Sequence, residues 1–230
     1  MVVLSPRPEL AGPGPATVAR AVERLRADGV QRVLTAALHE HEVGAFQAAG
    51  FELHERLHLL RRDLGAPPAP GAERPVRLRR CWRRDLDAVL AVDARAFEPF
   101  WSLDRQGLDD ALRATPVSRH RVAIGPAGAV VGYAVTGRAA DRGYLQRLAV
   151  DPDHHRLGIG RALVADALGW LVRRGCRSAV VNTQETNAGA LALYEACGFV
   201  TEPLGLVVLR LDLAGEPGVG PSGPPGASPC

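Results

Sequence analysis

Apolar residues recur along the chain at two spacings, which predict its helices and strands. Helical spacing places Leu86, Val89, Leu90 and Val92 on one face of 84–97. Further helices are predicted at about 104–114, 160–174 and 187–197. Apolar runs predict strands at 76–82, 119–125, 129–139, 143–150, 176–183 and 205–213. The order β-α-α-β-β-β-α-β-α-β predicts an α/β fold with a mixed central sheet flanked by helices.

Two stretches rich in proline and glycine divide the chain. Residues 65–75 (GAPPAPGAERP) are predicted to form a linker, and residues 214–230 a disordered tail. The expected domains are therefore a short N-terminal segment, 1–64, and a main unit, 76–213.

The N-terminal segment repeats the order of features in the second half of the main unit. Gly12-Pro13-Gly14 matches Gly158-Ile159-Gly160, and in both places another glycine follows at the same distance. Both segments continue through a strand and a helix to Gly-Phe and end on LLRRDL or VLRLDL. The pattern indicates a partial repeat. Two unrelated αβ units that share glycine stops are the alternative.

The loop HHRLGIGRA, at 154–162, is the most informative segment of the chain. It follows a strand that ends in Asp151-Pro152 and leads directly into a predicted helix. The first N–H groups of a helix have no partner within it, and the helix dipole adds partial positive charge there. Glycines let the backbone approach a phosphate closely, and Arg156 and Arg161 add charge. The loop is therefore predicted to bind an anion.

Two common phosphate-binding motifs are excluded. Leu163 stands where the dinucleotide fingerprint needs a third glycine, and the P-loop lysine is absent. Instead, YLQRLAVDPDHHRLGIGRAL resembles the GNAT acyltransferase motif, in which a strand, a V-D-P turn and Q/R-x-x-G-x-G/A bind the CoA pyrophosphate. The family's N-x-x-A-x-x-L-Y-x-x-x-G-F helix is matched by Asn187, Ala190, Leu193, Tyr194, Gly198 and Phe199. The resemblance covers 76–213.

The resemblance implies which residues contact acetyl-CoA. The backbone of Leu148, Ala149 and Val150 would face the pantetheine and the thioester carbonyl, and Asn187 would cap its helix and bond the pantetheine. Tyr194 matches the tyrosine that protonates the leaving CoA thiolate, with a core aromatic as the alternative. The pyrophosphate would lie on His155, Arg156, Leu157, Gly158, Ile159, Gly160 and Arg161. His155 replaces the family's usual Gln or Arg.

The general base is the least defined part of the site. GNAT enzymes that acetylate protein N-termini often carry a Glu twelve residues before the tyrosine, but that position here is Asn182. Asn182 cannot take a proton, which leaves a water relay through Asn182 and Gln184, or an amine that arrives neutral. The ionisable candidates are Glu185, Glu98, Asp104, His120 and Tyr144. Asn182 and Glu185 join Tyr194 as the predicted catalytic residues.

Acceptor recognition in this family usually involves the first two helices. The stretch FEPFWSLDRQGL (97–108) places aromatic rings beside carboxylates, which suits an amine attached to an apolar body. A loop that packs its aromatics into the core has the same pattern. Phe100, Trp101 and, on the central strand, Gln146 are the candidate acceptor-binding residues.

Composition narrows the possible functions. All 28 basic residues are arginine, so a lysine nucleophile is excluded, and the only asparagines are Asn182 and Asn187. The net charge of +3 is too small to indicate nucleic-acid binding. No 18-residue apolar run or signal-peptide pattern is present, and the four cysteines form no C-x-x-C pair. A cytoplasmic monomer or homodimer without metal is expected.

Two functions fit these features. The first is an N-acetyltransferase that transfers acetyl from acetyl-CoA to a primary amine of a small molecule or a protein N-terminus. The alternative is a non-catalytic acyl-CoA-binding regulatory module, which Asn182 favours. Because Phe46 replaces the tyrosine and Pro13 interrupts the loop, the N-terminal segment is predicted to bind no CoA and to serve in packing.

Overall fold

The computed structural model describes residues 2–4, 13–65, 76–126 and 128–213. The chain divides into two compact units, which are Met1–Leu57 with Leu204–Cys230 (unit 1) and His58–Pro203 (unit 2). The predicted tail, most of the predicted linker and Gly12 lie outside the described residues.

The described residues form six α-helices and ten strands. The helices are α1 Pro15–Ala27, α2 Val43–Gln47, α3 Leu86–Ala96, α4 Arg105–Arg113, α5 Ile159–Arg173 and α6 Ala188–Ala196. The strands are β1 Val2–Leu4, β2 Arg32–Thr35, β3 Glu52–Asp63, β4 Arg77–Arg80, β5 Val117–Ile124, β6 Val130–Ala139, β7 Arg142–Val150, β8 Ser178–Gln184, β9 Val200–Thr201 and β10 Leu206–Asp212. Short 3-10 helices cover Glu40–Glu42, Arg83–Asp85 and Pro152–His154.

Unit 1 has a sheet in the order β1-β2-β10-β3, with helices α1 and α2. β2 is parallel to β1 and antiparallel to β10, which is in turn antiparallel to the first half of β3. The side chains that close the core come from both helices and from the strands. They are Val18, Val22, Val33, Leu38, Phe46, Phe51, Leu209 and Leu213.

Unit 2 has a sheet in the order β3-β8-β7-β6-β5-β4, and β9 pairs with the second half of β3. Neighbours from β4 to β7 are antiparallel, whereas β7 and β8 are parallel. Successive residues of a strand face opposite sides of a sheet. Accordingly, Tyr133 and Val135 pack with Val89 of α3 and Leu108 of α4, while Ala134 joins the core with α5 and α6. The predicted mixed α/β fold is confirmed.

The division into units differs from the segment bounds predicted from sequence. β3 begins in unit 1 and ends in unit 2, where Leu60 and Leu64 belong to the core formed with α5 and α6. The closing strand β10, assigned from sequence to the main unit, groups with the N-terminal residues. The linker and the role of the N-terminal segment stay predictions.

Candidate active site

The parallel strands β7 and β8 separate part of the way along unit 2. Their pairing runs from Arg142↔Ser178 to Tyr144↔Val180. β7 continues to Val150, paired on its other side with β6 through one register shift. Beyond Tyr144, the backbone groups of β7 that face away from β6 are therefore not bonded to β8 and are available to a ligand.

The turn after β7 adopts left-handed backbone twice before α5 starts. Gly158, the N-cap residue of α5, has φ +75°, and Arg156 has φ +62°, which is uncommon for a residue with a side chain. The hydrogen bond from the Ala162 N–H to the Gly158 carbonyl oxygen, at 3.0 Å, is the first of the helical pattern. The three amides from Ile159 to Arg161 are thus the donors that a helix start leaves without an intrahelical partner.

A cavity of about 440 Å³ lies between the separated part of β7, the start of α5 and the start of α6. The residues that line it are Ala96, Phe97, Leu148, Ala149, Val150, His154, His155, Arg156, Gly158, Ile159, Gly160, Arg161, Asn187, Gly189, Ala190 and Leu193. The side chains are mostly apolar along the strand and helices, and basic along the turn.

The cavity has an apolar wall and a basic wall at different positions along β7. Phe97 places its ring 3.6 Å from the guanidinium carbon of Arg147, beside the middle of the strand. At the end of the strand, the Nε2 of His155 is 3.0 Å from the carbonyl oxygen of Val150. This bond requires the proton on Nε2 and holds the imidazole against the strand. Such a cavity suits a ligand that has an anionic end and an apolar end.

Arg95 of α3 holds the beginning of the turn. Its guanidinium donates to Asp151 and to Asp153, both at 2.8 Å. The hydrogen bond from Arg95 also keeps the pKa of the Asp153 carboxyl below its usual range. The Asp151 carboxylate accepts from the Asp153 N–H as well, at 3.0 Å. These contacts fix the turn independently of any ligand.

Most of the predicted cofactor residues lie around this cavity. The lining includes Leu148, Ala149, Val150, His155, Arg156, Gly158, Ile159, Gly160, Arg161 and Asn187. Leu157 is 56% exposed and Tyr194 is buried, and neither belongs to the lining. Six further lining residues were not predicted from the sequence, namely Ala96, Phe97, His154, Gly189, Ala190 and Leu193. Two of these could have been predicted from helical spacing. Ala190 follows Asn187 by one helical turn and Leu193 follows by nearly two, so both lie on the same face of the helix as Asn187.

Asn187 and Tyr194 are positioned by α6. The Oδ1 of Asn187 accepts from the Ala190 N–H at 3.0 Å, so Asn187 caps the helix. Tyr194 is 6% exposed and packs edge-on against Phe199, with ring centroids 5.8 Å apart. Burial raises the pKa of Tyr194 above its ordinary value. The phenol therefore stays protonated at physiological pH, where it can donate a proton but cannot accept one.

The candidate bases are dispersed. Asn182 and Glu185 are exposed, at and just beyond the part of β8 that separates from β7. Asp104 caps α4 by accepting from the Gly107 N–H at 2.7 Å. Burial lowers the pKa of His120 to about 4, which makes it a weak proton acceptor. Glu98 is exposed, and Gln184 and Tyr144 are half-buried.

The acceptor candidates lie on β7 and in the loop between α3 and α4. Gln146 is half-buried, with its Nε2 3.3 Å from the Thr115 hydroxyl and its Oε1 buried without a hydrogen-bond partner. Phe100 and Trp101 are half-buried and meet edge to face, with centroids 5.0 Å apart.

A buried ion pair beneath the aromatic stretch was not found from the sequence. Arg147 of β7 donates to both carboxylate oxygens of Asp93 in α3, each at 2.8 Å. The signal was an aspartate inside the apolar face of the 84–97 helix, next to Val92. Its partner is 54 positions away in the sequence, so the pairing itself could not be inferred.

Among the residues that the structure describes, no group of three or more His, Cys, Asp or Glu is arranged to hold a metal ion. None of the helices in this part of the chain is long and apolar enough to cross a membrane.

Residues 86–199 match the family model described as "Acetyltransferase (GNAT) family". This stretch contains the separated strands, the turn, α5 and α6. The chain belongs to the GNAT superfamily of acyltransferases.

Curated relatives carry the same similarity over part of their length. The [ribosomal protein bS18]-alanine N-acetyltransferase of Escherichia coli K12 is 39% identical over 72 residues, which is 31% of this chain and 49% of that protein. The mycothiol acetyltransferase of Salinispora arenicola is 36% identical over 165 residues, covering 65% of this chain and 53% of that protein. The chain thus spans about half the length of these relatives.

A solved structure extends the likeness in fold. The tandem GNAT protein of the clavulanic acid biosynthesis pathway aligns with a TM-score of 0.65 at 16% identity, covering 87% of this chain and 70% of that one.

Proposed function

We propose that the protein is an N-acetyltransferase that transfers the acetyl group of acetyl-CoA to a primary amine by direct attack. The observation that carries the proposal is the cavity between the separated part of β7 and the start of α5, with its apolar and basic walls. The acceptor is a small-molecule amine or a protein N-terminus, in line with the relatives named for mycothiol and for ribosomal-protein alanine. The proposed setting is the cytoplasm.

The basic wall suits the phosphates of the donor. The free amides from Ile159 to Arg161 and the dipole of the 15-residue helix α5 favour an anion at this end. Arg156 and Arg161 add full charges. The pantetheine then runs along Leu148–Val150, where the backbone is not bonded to β8, and Asn187 is beside it.

The acetyl transfer follows from the groups along this path. The amine nitrogen attacks the thioester carbon, and the resulting oxyanion is stabilised by backbone N–H groups of β7. The C–S bond then breaks, and the CoA thiolate takes the proton of Tyr194. The ordinary pKa of a phenol, about 10, already exceeds that of a thiol, about 8.5, and burial raises the pKa of Tyr194 further, so the bound thiolate must be close and desolvated for this transfer. Leu193, which precedes Tyr194 on α6, lines the cavity, and this proximity along the chain supports the proposed role of Tyr194.

The proton of the amine requires a separate path. Asn182 and Glu185 follow the point at which β8 leaves β7, and both are exposed. We propose that water held by the Asn182 amide carries the proton towards Glu185.

Two observations favour the second candidate, a non-catalytic acyl-CoA-binding module. Asn182 replaces a carboxylate, and Tyr194 is outside the cavity lining. Both functions predict acetyl-CoA binding, and only the first predicts turnover.

Thermal unfolding with and without acetyl-CoA tests the shared prediction. A ligand at about 100 times its Kd adds roughly 2.7 kcal/mol to the free energy of unfolding, which raises the Tm by about 5–10 °C for a chain of this size. NADH and ATP are the controls, because both carry phosphates but lack a thioester. A rise with acetyl-CoA alone is expected, and equal rises with all three would contradict a dedicated site.

Release of CoA in the presence of amines separates the two candidates. The panel contains a peptide that begins with alanine, an amino sugar and simple alkylamines. CoA release with at least one of them identifies the enzyme. A thermal shift with acetyl-CoA, together with no release of CoA in the presence of any of these amines, identifies the binding module.

A further inference from the structure

The Asp93–Arg147 pair lies under the segment Phe97–Asp104, called here the aromatic loop, which joins α3 to α4. The Arg147 Nε and Nη2 atoms each contact one carboxylate oxygen at 2.8 Å. Asp93 is fully buried, and the side chain of Arg147 is 14% exposed. The same carboxylate accepts from the Tyr133 hydroxyl at 2.5 Å. A bidentate pair with this extra donor has a single well-defined geometry.

The pair holds the aromatic loop by its main chain. Arg147 Nη2 donates to the Trp101 carbonyl at 2.7 Å, and the Leu103 N–H donates to Asp93 at 2.6 Å. The Phe97 ring also lies over the guanidinium, with the guanidinium carbon 3.6 Å from the ring centroid. The loop is thus fastened at its beginning, middle and end to one residue of β7 and one of α3.

The pair contacts both the loop proposed to bind the acyl acceptor and the strand proposed to hold the acyl donor. Arg147 immediately precedes Leu148, the first residue of β7 that lines the cavity, and Phe97 lines the same cavity. Arg147 therefore sets the position of the aromatic loop relative to the strand that would hold the thioester. Phe100 and Trp101, in the same loop, take their position from it.

Stability alone does not account for this arrangement. A buried ion pair loses about as much in desolvation as it gains in attraction, and well-packed apolar residues are often equally stable. What an apolar cluster cannot supply is directed hydrogen bonding to two backbone groups of a loop.

We propose that the Asp93–Arg147 pair is a positioning element that fixes the aromatic loop over β7 and thereby sets recognition of the acyl acceptor. This inference rests on the proposed acetyltransferase function. Arg147 acts through the loop, and the contact with the acceptor is made by the loop's aromatic side chains.

Two substitutions of Arg147 test the inference in the full-length protein. Arg147→Lys keeps the charge but cannot bond both carboxylate oxygens and the Trp101 carbonyl together, and Arg147→Met removes the charge. Arg142→Lys is the matched control, because Arg142 lies exposed at the start of the same strand. The measurements are the Kd for acetyl-CoA, the KM and kcat for the accepted amine, and hydrogen exchange of the 97–104 amides.

We expect Arg147→Lys to raise the amine KM about 10-fold and Arg147→Met about 100-fold, because a displacement near 1 Å is enough to cause such losses. The Kd for acetyl-CoA should stay within about twofold, since the anion-binding groups are untouched. The 97–104 amides should exchange faster in both variants, because the Trp101 carbonyl loses its donor, and Arg142→Lys should match the wild type.

Three results would overturn the inference, and they differ from failure of the proposed function. An unchanged amine KM despite faster exchange in the loop would leave the pair with a structural role only. Equal increases in the acetyl-CoA Kd and the amine KM would show a general loss of structure. Unchanged exchange of all the 97–104 amides in Arg147→Met would show that the pair does not hold the loop. A wild-type protein that binds acetyl-CoA but acetylates no amine would instead refute the transferase, and the acceptor role of the pair with it.

Discussion

The segments 14–51 and 159–199 each contain two helices, and the corresponding helices end in the same way. Gly29 follows α1 with φ +75°, and Gly175 follows α5 with φ +74°. In both places the amide after the glycine bonds to the carbonyl five residues earlier. These bonds are Val30 to Leu25 at 3.0 Å and Cys176 to Leu171 at 3.1 Å. This is the Schellman ending, in which a left-handed glycine satisfies the last carbonyls of a helix.

The second helices also end alike. Gly50 and Gly198 have φ of +87° and +81°. The following amide, of Phe51 or Phe199, bonds to the residue five positions earlier, at 3.1 and 3.0 Å. That residue is Phe46 in one segment and Tyr194 in the other, and in both the two rings meet edge-on, 5.4 and 5.8 Å apart. The matched geometry supports the partial repeat that the sequence spacing predicts.

The beginnings of the first helices differ. Gly158 caps α5 with φ +75°, whereas Gly14 caps α1 with extended backbone, φ −68° and ψ 159°. α1 has 13 residues against 15 in α5, and its first residue is Pro15, which has no N–H to offer. The features that end a helix are shared, whereas the left-handed glycine N-cap followed by a residue with an N–H is present in α5 and not in α1. We therefore propose that the helix endings serve folding, while the start of α5 serves ligand binding.

The largest expected effect comes from the one hydroxyl that distinguishes the two aromatic pairs. Tyr194→Phe keeps the ring against Phe199 and should lower kcat about 100-fold, with acetyl-CoA affinity nearly unchanged. Phe46→Leu is the control in the other segment, and it should lower the Tm without changing kcat per folded molecule. An unaltered kcat for Tyr194→Phe would make Tyr194 a core residue like Phe46.

A smaller effect is expected from the two cap glycines, each replaced by serine. Gly158→Ser puts a side chain at φ +75°, which costs about 1–2 kcal/mol and distorts the anion-binding turn. We expect the Kd for acetyl-CoA to rise about 10-fold, as measured by calorimetric titration. Gly14→Ser introduces a favoured cap residue into extended backbone with open space around it, so acetyl-CoA binding should not change. Equal losses from both substitutions would refute the contrast between the two helix starts.

The smallest effects should be equal in the two segments. Gly29→Ala and Gly175→Ala both force alanine into left-handed backbone, and neither new methyl group meets an atom within 4 Å. Each should cost about 1 kcal/mol and lower the Tm by about 2–4 °C. Thermal unfolding of the two single variants measures this. An unchanged Tm for only one of the two variants would mean that the helix endings are not equivalent.

Much of the fold followed from local patterns. The helix predicted at 160–174 is Ile159–Arg173, and the strand predicted at 143–150 is Arg142–Val150. Asn187, at the start of the 187–197 helix, is the N-cap of Ala188–Ala196. These elements have strong periodicity and glycine or asparagine at their ends, which is where sequence carries the most information.

The parts that could not be predicted depend on contacts between distant positions. The strand β3 reaches from Glu52 to Asp63, and nothing in its sequence indicates that its two halves belong to different units. The burial of Tyr194 outside the cavity lining depends on how α6 rotates against the sheet. Phe97 lines the cavity and places its ring over the Arg147 guanidinium, and that contact joins residues 50 positions apart. The roles proposed for the site residues stay predictions.

The course of β3 also bears on how this gene can change over evolutionary time. Its second half provides Leu60, which is fully buried in unit 2, and the Leu59 oxygen accepts from the Glu202 N–H at 2.8 Å. A deletion that ended anywhere in 65–75 would remove these contacts together with everything before them. We therefore predict that a gene that lost the segment 1–64 would encode a less stable unit 2. Selection for stability would then retain this segment whatever ligand it binds.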